Sequence, residues 1–249
     1  MKKTRKLKRV LSFGMAAVMA VGLTGVASAA GESASGVKIS DQVVSSPNCV
    51  ITDTEAKNVV IRSTYEGFNP IIVRDSDYTI DGARIDIDSD GDGSVACDFS
   101  GYGAAIAAYG KSNVKIKNSD VNVTGVGNLA LYADKGANVY IEHSNFFSGG
   151  GTLYAGYRNS PDQATMVAPP WILGIMGTSR TTNLMGNDSS TTVVDSNMAS
   201  SQWAVLSTDS GSNMMLNVVN TTMTLKGMGD KPLQADGVFA ATNPYTTRS

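Results

Sequence analysis

The chain contains very little histidine and cysteine. Its 249 residues include one His and two Cys. Zinc and similar transition metals are bound in proteins by clusters of His and Cys side chains, so this composition excludes a usual transition-metal site. The single His143 occupies the place in its repeat that Asn118 occupies one repeat earlier. We interpret it as a turn residue and not as a catalytic base.

Signatures of several common repeat folds are also missing. There is no leucine-rich horseshoe consensus, no Trp-Asp motif of a propeller blade, and no amphipathic helix after Ala30. Gly, Ser, Thr, Asn and Asp are abundant instead, as expected for a chain that turns every few residues. The composition therefore favours many short strands and disfavours a helical repeat.

A repeat of 25 residues runs through the chain. Asn113 begins the unit NVKIKNSDVNVTG, and Asn138 begins the unit NVYIEHSNFFSGG 25 positions later. Two later units, which begin at Val193 and Val218, keep the same spacing. Each unit holds short runs that alternate apolar and polar residues, which is the period of a β-strand. Units that cannot bury their apolar face alone must stack, so we predict an all-β parallel β-helix of about 25 residues per coil.

Two spacings depart from this period. Ile80 and Ile116 lie 36 residues apart, which we interpret as one coil with an 11-residue insertion in the acidic segment between them. Phe146 and Met198 lie 52 residues apart, which we interpret as two coils with two extra residues. Trp171 lies 25 residues after Phe146 and is the candidate strand residue of the intermediate coil.

Asparagine recurs at one position of the repeat. Asn113 and Asn138 are 25 residues apart, and Asn213 lies three further periods along the chain. We predict a ladder in which their side-chain amides form hydrogen bonds between adjacent coils.

The N-terminal part of the chain, residues 1–30, forms a separate segment. Residues 2–9 hold six Lys and Arg, residues 10–25 are apolar or small, and Ala27, Ser28 and Ala29 form a cleavage pattern. This is the layout of an export signal peptide, and a membrane anchor is the less favoured alternative. We expect cleavage after Ala29 or Ala30, no stable membrane insertion afterwards, and a location outside a bacterial cell or on its surface.

Removal of that segment leaves an acidic chain. It takes away six of the 20 Lys and Arg and none of the 22 Asp and Glu, which leaves 14 basic and 22 acidic residues and a net charge of −8. Such a charge disfavours nucleic acid and anionic membrane surfaces as partners. It is compatible with a bound cation or with neutral glycans.

The remaining residues are enough for one elongated domain. We predict a signal peptide at residues 1–30, a polar leader and N-terminal cap at residues 31–56 with strands at Val37 and Val43, and a β-helix at residues 57–249. A solenoid needs terminal caps, and we recognise none after the last coil. Either the β-helix is truncated there, which we favour, or another subunit covers its end.

An acidic segment carries the sharpest local motif. Four aspartates alternate along it, namely Asp86, Asp88, Asp90 and Asp92. Converging carboxylates are the ligands that Ca²⁺ prefers, and residues 88–93 resemble the first half of a calcium-binding D-x-D-x-D-G loop. Phe99 stands where that loop needs a bidentate Glu. A weak calcium site and a solvated acidic turn are therefore the two interpretations.

Two cysteines follow the signal segment, Cys49 and Cys97, and their separation is close to two coils. Export favours disulfide formation, and a Cys49–Cys97 bridge would tie the N-terminal cap to the second coil and stabilise the fold by about 2 to 4 kcal/mol. The alternative is two small buried apolar side chains.

Residues 151–190 are the least regular part of the chain. Loops that protrude from a rigid scaffold are common places for binding residues. Aromatic and guanidinium side chains in such loops can stack against sugar rings. We predict a ligand-binding set of Tyr154, Tyr157, Arg158, Trp171 and Arg180. The alternative is that Trp171 and Tyr154 fill the core.

The chain resembles the right-handed parallel β-helix superfamily of pectate-lyase-like proteins over residues 57–241. The resemblance rests on the signal peptide, the 25-residue step and the Asn-Val-x-Ile-x-x-Ser units that begin at Asn113 and Asn138. The resemblance implies a right-handed coil. Members of that superfamily include polysaccharide lyases, glycoside hydrolases and secreted surface proteins without catalysis. The fold alone does not decide between these functions.

The catalytic motifs of that superfamily are not matched. Its hydrolases carry clustered Asp residues, a nearby His and an Arg-x-Lys, and this chain has no Asp-Asp, Gly-His-Gly or Arg-Ile-Lys sequence. An inverting displacement needs two carboxyl groups about 6.5 to 9.5 Å apart. Its lyases use calcium-binding aspartates and a basic side chain, and the candidates here match no family position: Asp81, Asp86, Asp88, Arg84 and Arg180.

We therefore expect an exported, non-catalytic β-helix. It would act as an adhesin-like surface or extracellular scaffold that presents residues 151–180 to a polysaccharide or a cell-surface protein. The alternative is a polysaccharide-degrading enzyme or a fragment of one, and a calcium-dependent lyase is favoured over a glycoside hydrolase.

Overall fold

The computed structural model describes residues 35–41, 43–44, 46–89, 100–151, 180–201 and 204–226. All of them belong to one compact unit, Ser33–Ser249. Within these residues the chain is all-β, with 20 strands in three sheets and no helix.

Sheet 1 has six strands. In spatial order they are β1 (Gly36–Ile39), β6 (Ile71–Arg74), β9 (Ile106–Tyr109), β12 (Leu131–Asp134), β15 (Arg180–Met185) and β18 (Ala204–Asp209).

Sheet 2 has seven strands. In spatial order they are β3 (Val50–Ile51), β4 (Glu55–Lys57), β7 (Asp77–Asp81), β10 (Asn113–Lys117), β13 (Asn138–Glu142), β16 (Ser190–Val194) and β19 (Met215–Val219).

Sheet 3 also has seven strands. In spatial order they are β2 (Val43–Val44), β5 (Val60–Ser63), β8 (Arg84–Asp88), β11 (Asp120–Thr124), β14 (Asn145–Ser148), β17 (Asn197–Ser200) and β20 (Thr222–Leu225).

From β6 onward the chain visits sheets 1, 2 and 3 in that order, once per coil. Five complete coils run from β6 to β20, and every strand of a coil pairs in parallel with its equivalent in the next coil. This arrangement of repeated parallel strands in stacked sheets is compatible with a β-solenoid.

The register confirms the repeat that the sequence predicts. Asn113 pairs with Asn138 in sheet 2, and Val193 pairs with Val218 in the same sheet. Ile80 pairs with Ile116, so their 36-residue separation is one coil with an 11-residue insertion.

The interpretation of the 52-residue spacing as two coils is wrong. Phe146 pairs directly with Met198, because β14 and β17 are neighbours in sheet 3. Their separation is therefore one coil of 25 residues with 27 additional residues, of which 26 fall in the connection between β14 and β15 and one in the connection between β15 and β16. Trp171 lies outside the described residues, and no intermediate coil separates the strands on either side of it.

The inside of the coils is the apolar core. Along β10, Val114 and Ile116 are buried while Asn113 and Lys115 are exposed. In the next coils Ile141 and Val193 are as fully buried as Ile116. Apolar and polar residues alternate along each strand, and the parallel register places equivalent residues of successive coils above one another. The inward apolar residues therefore form a continuous column along the stack.

The connection from sheet 2 to sheet 3 is always two residues long. Its first residue has a positive φ in every coil: Asn58 (52°), Gly82 (68°), Asn118 (49°), His143 (49°), Asp195 (47°) and Asn220 (45°). Gly, Asn and Asp adopt this left-handed conformation most readily. His143 is a turn residue, as the sequence predicts, and its ring lies 3.8 Å from the Asp195 carboxylate.

In the turns that follow β10, β13, β16 and β19 the second residue carries a hydroxyl, and these hydroxyls form a ladder. Ser144 Oγ donates a hydrogen bond to the Glu142 carbonyl at 2.8 Å and accepts one from the Ser119 N–H at 3.1 Å. Ser196 Oγ accepts in turn from the Ser144 N–H at 3.1 Å. Each hydroxyl therefore closes its own turn and joins it to the preceding coil, which satisfies buried backbone groups that the sheets do not pair.

Removal of one hydroxyl from this ladder tests its contribution. Ser144→Ala leaves the buried Ser119 N–H without its acceptor, so we expect a loss of about 1 to 3 kcal/mol in the free energy of unfolding. Ser144→Thr keeps the hydroxyl, and Thr221 already occupies the equivalent position in the last described coil, so its loss should be smaller. Urea unfolding of the three proteins measures this order, and an equal loss in both variants would show that the hydroxyl is not the cause.

The N-terminal residues run across the first edge of all three sheets. Strands β1, β2 and β3 pair antiparallel with β6, β5 and β4, respectively. Tyr78 fills the core below them, only 2 % exposed, and its hydroxyl donates to the Thr52 carbonyl at 3.3 Å. Burial raises the pKa of Tyr78 above its usual value, and the nearby Glu55 and Asp53 carboxylates raise it further.

This shift predicts a loss of stability at high pH. A raised pKa means that the folded protein favours the neutral phenol. The contribution of Tyr78 to the free energy of unfolding is therefore complete below about pH 10 and is lost as the pH rises above that value. Tyr78→Phe removes the ionisable group. The free energy of unfolding should therefore fall less steeply above about pH 10 in Tyr78→Phe than in the unmodified protein. Equal slopes in the two proteins would contradict this account.

Candidate functional site

The length of the connections marks one corner of the stack. Sheet 2 leads to sheet 3 through two residues in every coil, and sheet 1 leads to sheet 2 through two to five. The connection from sheet 3 to sheet 1 ranges from three residues to 31. Both long connections, β8 to β9 and β14 to β15, leave and rejoin the stack at this corner, which we call the variable corner.

Sheet 1 follows the variable corner and is buried on both faces. Ile106 and Leu131 face the core, while Ala107 and Tyr132 lie on the outer face and are equally buried. The outer residues form a second apolar cluster with Met185 and the partly buried Ile72 and Tyr109. Other residues must therefore cover this face, in contrast to sheets 2 and 3, whose outer residues are exposed or only partly buried.

Residues 100–104, the covering segment, supply part of that cover. The Tyr109 hydroxyl donates to the Ser100 carbonyl at 2.8 Å. A Cβ on Gly101 would lie 2.5 Å from both the Tyr109 hydroxyl and the Tyr132 ring, at a φ of 73°. Only glycine allows this approach.

Asn69 holds the covering segment in place. Its Nδ2 donates to the Gly101 and Ala104 carbonyls at 2.7 and 2.8 Å, and its Oδ1 accepts from the Gly103 N–H at 3.4 Å. One amide side chain thereby joins the short connection before β6 to the long connection before β9. The first part of the variable corner is a hydrogen-bonded structure and not an open turn.

A row of cationic, aromatic and acidic groups crosses the outer face of sheet 1. The Arg74 guanidinium lies 4.0 Å from the centre of the Tyr109 ring, and the Tyr109 and Tyr132 rings are 5.5 Å apart. The Tyr132 hydroxyl donates to Asp134 at 3.2 Å and lies 3.5 Å from the Met185 sulfur. Aromatic and guanidinium groups of this kind stack on ligands where they are accessible.

Sequence reasoning missed Asn69, Arg74, Tyr109 and Tyr132. The available signal was the unbroken apolar run from Leu129 to Ala133, because strands buried on both faces do not alternate.

Arg180, one of the predicted ligand-binding residues, is only 2 % exposed. Its Nη1 donates to the Asp209 carboxylate and, at 3.1 Å, to Ser207 Oγ. Ser207 Oγ also contacts Asn183 Oδ1 at 3.2 Å. Arg180 thus belongs to a buried polar group in sheet 1, and its role toward a ligand stays a prediction. Tyr154, Tyr157, Arg158 and Trp171 lie outside the described residues, and their predicted role is untested.

Asn128 offers an acceptor at the variable corner. It is 1 % exposed, and its Nδ2 donates to the Thr124 carbonyl at 3.1 Å. Its Oδ1 accepts no hydrogen bond from any residue that the structure describes. A hydroxyl donor or a water at this corner would satisfy that atom.

The first two aspartates of the acidic segment lie on the exposed face of β8. Asp86 Oδ1 accepts from Asn122 Nδ2 at 2.9 Å, and Asp88 Oδ1 accepts from Thr124 Oγ1 at 2.7 Å. Each carboxylate is bonded to a different residue of the next coil. Each keeps a second oxygen, so both can still contribute to a cation site.

Asp90 and Asp92 lie outside the described residues. Within the described ranges, no cluster of three or more His, Cys, Asp or Glu side chains is placed to hold a metal ion. The calcium site predicted at Asp86, Asp88, Asp90 and Asp92 therefore remains a prediction.

The other two charged candidates also contact adjacent coils. Asp81 Oδ1 accepts from Asn118 Nδ2 at 2.8 Å; this hydrogen bond lowers the pKa of Asp81, partial burial opposes it, and Lys117 lowers it further. Arg84 lies 3.6 Å from Asp120 in an exposed ion pair. Each charge therefore has a partner in the stack.

Cys49 is partly buried against the core and forms no disulfide with a described residue. Cys97 lies outside the described residues, so the predicted bridge is untested. No helix that could span a membrane occurs in the part of the chain that the structure describes.

Comparison with known proteins adds no identification. The chain matches no protein-family model, no curated protein and no solved structure.

Proposed function

We propose that this chain is an exported, non-catalytic right-handed parallel β-helix of the pectate-lyase-like kind, which serves as a surface or extracellular scaffold and binds glycan at the variable corner. The parallel coils through three sheets and the two-residue left-handed turns support the fold assignment. The signal-like segment at residues 1–30 supports export.

The position of the long connections carries the proposal. Both join sheet 3 to sheet 1, so the variable part of the chain is gathered at one corner while the other two corners stay short. A rigid stack that displays long connections at one corner is a common architecture for binding. Arg74 and Tyr109 of sheet 1, which are only partly buried, provide a cationic and an aromatic group there.

The hydrogen bonds of the acidic side chains favour a scaffold over an enzyme. Asp81, Asp86 and Asp88, the candidate acids, each accept a hydrogen bond from the next coil. These bonds favour a structural role for the carboxylates, since they link coil to coil along the outer faces. An acid or base in catalysis instead needs to reach a substrate atom.

One observation favours a calcium-dependent lyase as the second candidate. Asp86 and Asp88 are exposed on one face of β8, directly before the rest of the acidic segment. Exposed carboxylates in this arrangement can bind calcium beside a uronate substrate. A glycoside hydrolase has no comparable support.

Glycan binding can be tested with matched aromatic variants. The chain from residue 31 onward is applied to an array of neutral and acidic polysaccharides, together with Tyr157→Ala, Arg158→Ala and Tyr140→Ala. Tyr140 is an aromatic residue on the outer face of sheet 2, away from the variable corner, and beside Lys115. Binding that is lost in the first two variants and kept in Tyr140→Ala supports the proposal. No binding by the unmodified chain, or equal loss in all three variants, contradicts it.

Calcium binding is tested separately. If the acidic segment holds Ca²⁺, added calcium should raise the melting temperature, because a ligand that binds only the folded state stabilises it. Asp88→Asn combined with Asp90→Asn should remove that increase, whereas Asp41→Asn, in the N-terminal residues, should keep it. Absence of both a melting shift and a heat of binding in the unmodified chain would eliminate the site.

A further inference from the structure

A groove of about 420 Å³ lies at the corner between sheets 2 and 3, away from the variable corner. Three successive turns line it, those from β4 to β5, from β7 to β8 and from β10 to β11, together with residues 46–48. Its polar side chains are Ser46, Asn48, Asn58, Arg84, Asn118 and Asp120. A volume of this size is typical of small-molecule sites.

The absence of a side chain at Gly82 provides space in this groove. Asn58 and Asn118, at the same position of the turns on either side, each carry an amide. A Cβ on Gly82 would lie 2.6 Å from Asn58 Oδ1, at a φ of 68°. The Asn58 amide therefore lies against the turn at Gly82, where a side chain would otherwise be.

The amide side chains of the groove are held in place and keep free hydrogen-bonding groups. Asn58 Nδ2 donates to the Asn48 carbonyl at 3.2 Å, and Asn118 Nδ2 donates to the Asp81 carboxylate at 2.8 Å. Each amide has two N–H groups and an oxygen. The oxygens of Asn58 and Asn118 accept no hydrogen bond from the residues that the structure describes. Each amide can therefore still donate and accept.

The charged side chains of the groove balance each other. Arg84 Nη2 lies 3.6 Å from Asp120 Oδ2, and these two are the charged residues among those that line the groove. Asp120 Oδ1 accepts from Asn145 Nδ2 at 2.7 Å, which orients the carboxylate. A guanidinium only donates hydrogen bonds and a carboxylate only accepts them. The groove thus offers donors and acceptors side by side without a net charge.

We propose that this groove binds a neutral sugar unit through its hydroxyl groups. Adjacent sugar hydroxyls both donate and accept, which matches Arg84 beside Asp120 and the two asparagine amides. An anionic ligand would approach the Asp120 carboxylate and a cationic one the Arg84 guanidinium, so both are disfavoured. The groove lies at a different corner from the proposed glycan site, and this inference does not depend on glycan binding there.

Saturation-transfer NMR on the chain from residue 31 onward tests this site. The probes are glucose, galactose, mannose and N-acetylglucosamine, with glucuronate and glucosamine as charged counterparts. At least one neutral sugar should bind more tightly than either charged one. Arg84→Gln should raise its Kd by roughly 10-fold or more, because a charged donor is lost. Arg62→Gln is the matched control, since Arg62 is exposed on β5 and does not line the groove; its Kd should not change.

A second pair of variants changes the shape of the groove. Gly82→Asn introduces a residue that the neighbouring turns already contain, but its side chain displaces the Asn58 amide and fills the groove. Binding should become undetectable. His143→Asn makes the same replacement two coils later, outside the groove, and should keep the Kd. Arg84→Gln alters only an exposed ion pair, so it should fold even if Gly82→Asn does not.

Three results would overturn the proposal. One is that no neutral sugar binds the unmodified chain, and another is that a charged sugar binds more tightly than every neutral one. The third is an unchanged Kd in folded Arg84→Gln and Gly82→Asn, which would place the sugar elsewhere on the chain. That result would leave glycan binding at the variable corner possible, so the two proposals fail separately.

Discussion

Replacement of Ile116 by Ala is expected to lower the free energy of unfolding by about 2 to 5 kcal/mol. Ile116 is fully buried and lies in the core column between Ile80 and Ile141. Truncation removes apolar contacts with the coils on both sides and leaves a cavity that the stacked sheets cannot close. Equilibrium urea unfolding measures the loss.

The neighbouring Lys115 provides the control. It is exposed on the outer face of the same strand and lies 3.6 Å from Glu142. Exposed ion pairs contribute about 0 to 1 kcal/mol, so Lys115→Ala should have a small effect. Comparable losses of stability in Ile116→Ala and Lys115→Ala would contradict the assignment of Ile116 to the inner face of β10 and of Lys115 to its outer face.

Replacement of Asp209 by Asn is the second large expected effect, with a loss of about 3 to 5 kcal/mol. Asp209 accepts a hydrogen bond from the buried Arg180 guanidinium. Removal of the carboxylate charge leaves the buried Arg180 cation without an opposite charge beside it. The resulting loss in the free energy of unfolding is larger than the net stabilisation that the pair provides. The loss should appear as a lower urea midpoint.

Glu55→Gln is the matched substitution in an exposed pair. Glu55 and Lys57 are 3.5 Å apart with both side chains at least one-third exposed, so that change should cost about 1 kcal/mol or less. Equal losses in Asp209→Asn and Glu55→Gln would show that burial of the Arg180 pair adds nothing.

Much of the fold could be predicted from the sequence because two periodicities coincide in it. Alternation along a strand identifies the inward residues, and the 25-residue step brings inward residues of successive coils together, as in Ile116 and Ile141. The Asn113–Asn138 contact, an amide hydrogen bond of 3.4 Å, follows from the same step. These features depend on residues that are close in sequence or separated by one period.

Spacing alone cannot distinguish an insertion from a coil. The 52 residues from Phe146 to Met198 are nearly two periods, yet the two residues pair directly. The prediction that Asn213 belongs to the ladder of Asn113 and Asn138 is also wrong. Met215 pairs with Ser190 in the register of Asn113 and Asn138, so Asn213 falls two residues early, where its amide donates to Asp188 at 2.7 Å.

The outer face of sheet 1 could not be predicted in the same way. Its cover includes residues 100–104, held by Asn69 from more than 30 positions away. A periodic sequence pattern does not predict a contact between two irregular connections. The Arg180–Asp209 pair likewise could not be predicted, because only the folded chain brings these two residues together.

The most direct test of the proposed function is an activity screen of the folded chain from residue 31 onward on uronate-containing polysaccharides with calcium. Unsaturated product is followed by ultraviolet absorbance, and new reducing ends are measured in parallel. A non-catalytic scaffold predicts no signal in either assay, although the same preparation binds glycan. New absorbance that chelation abolishes would contradict it and establish a calcium-dependent lyase.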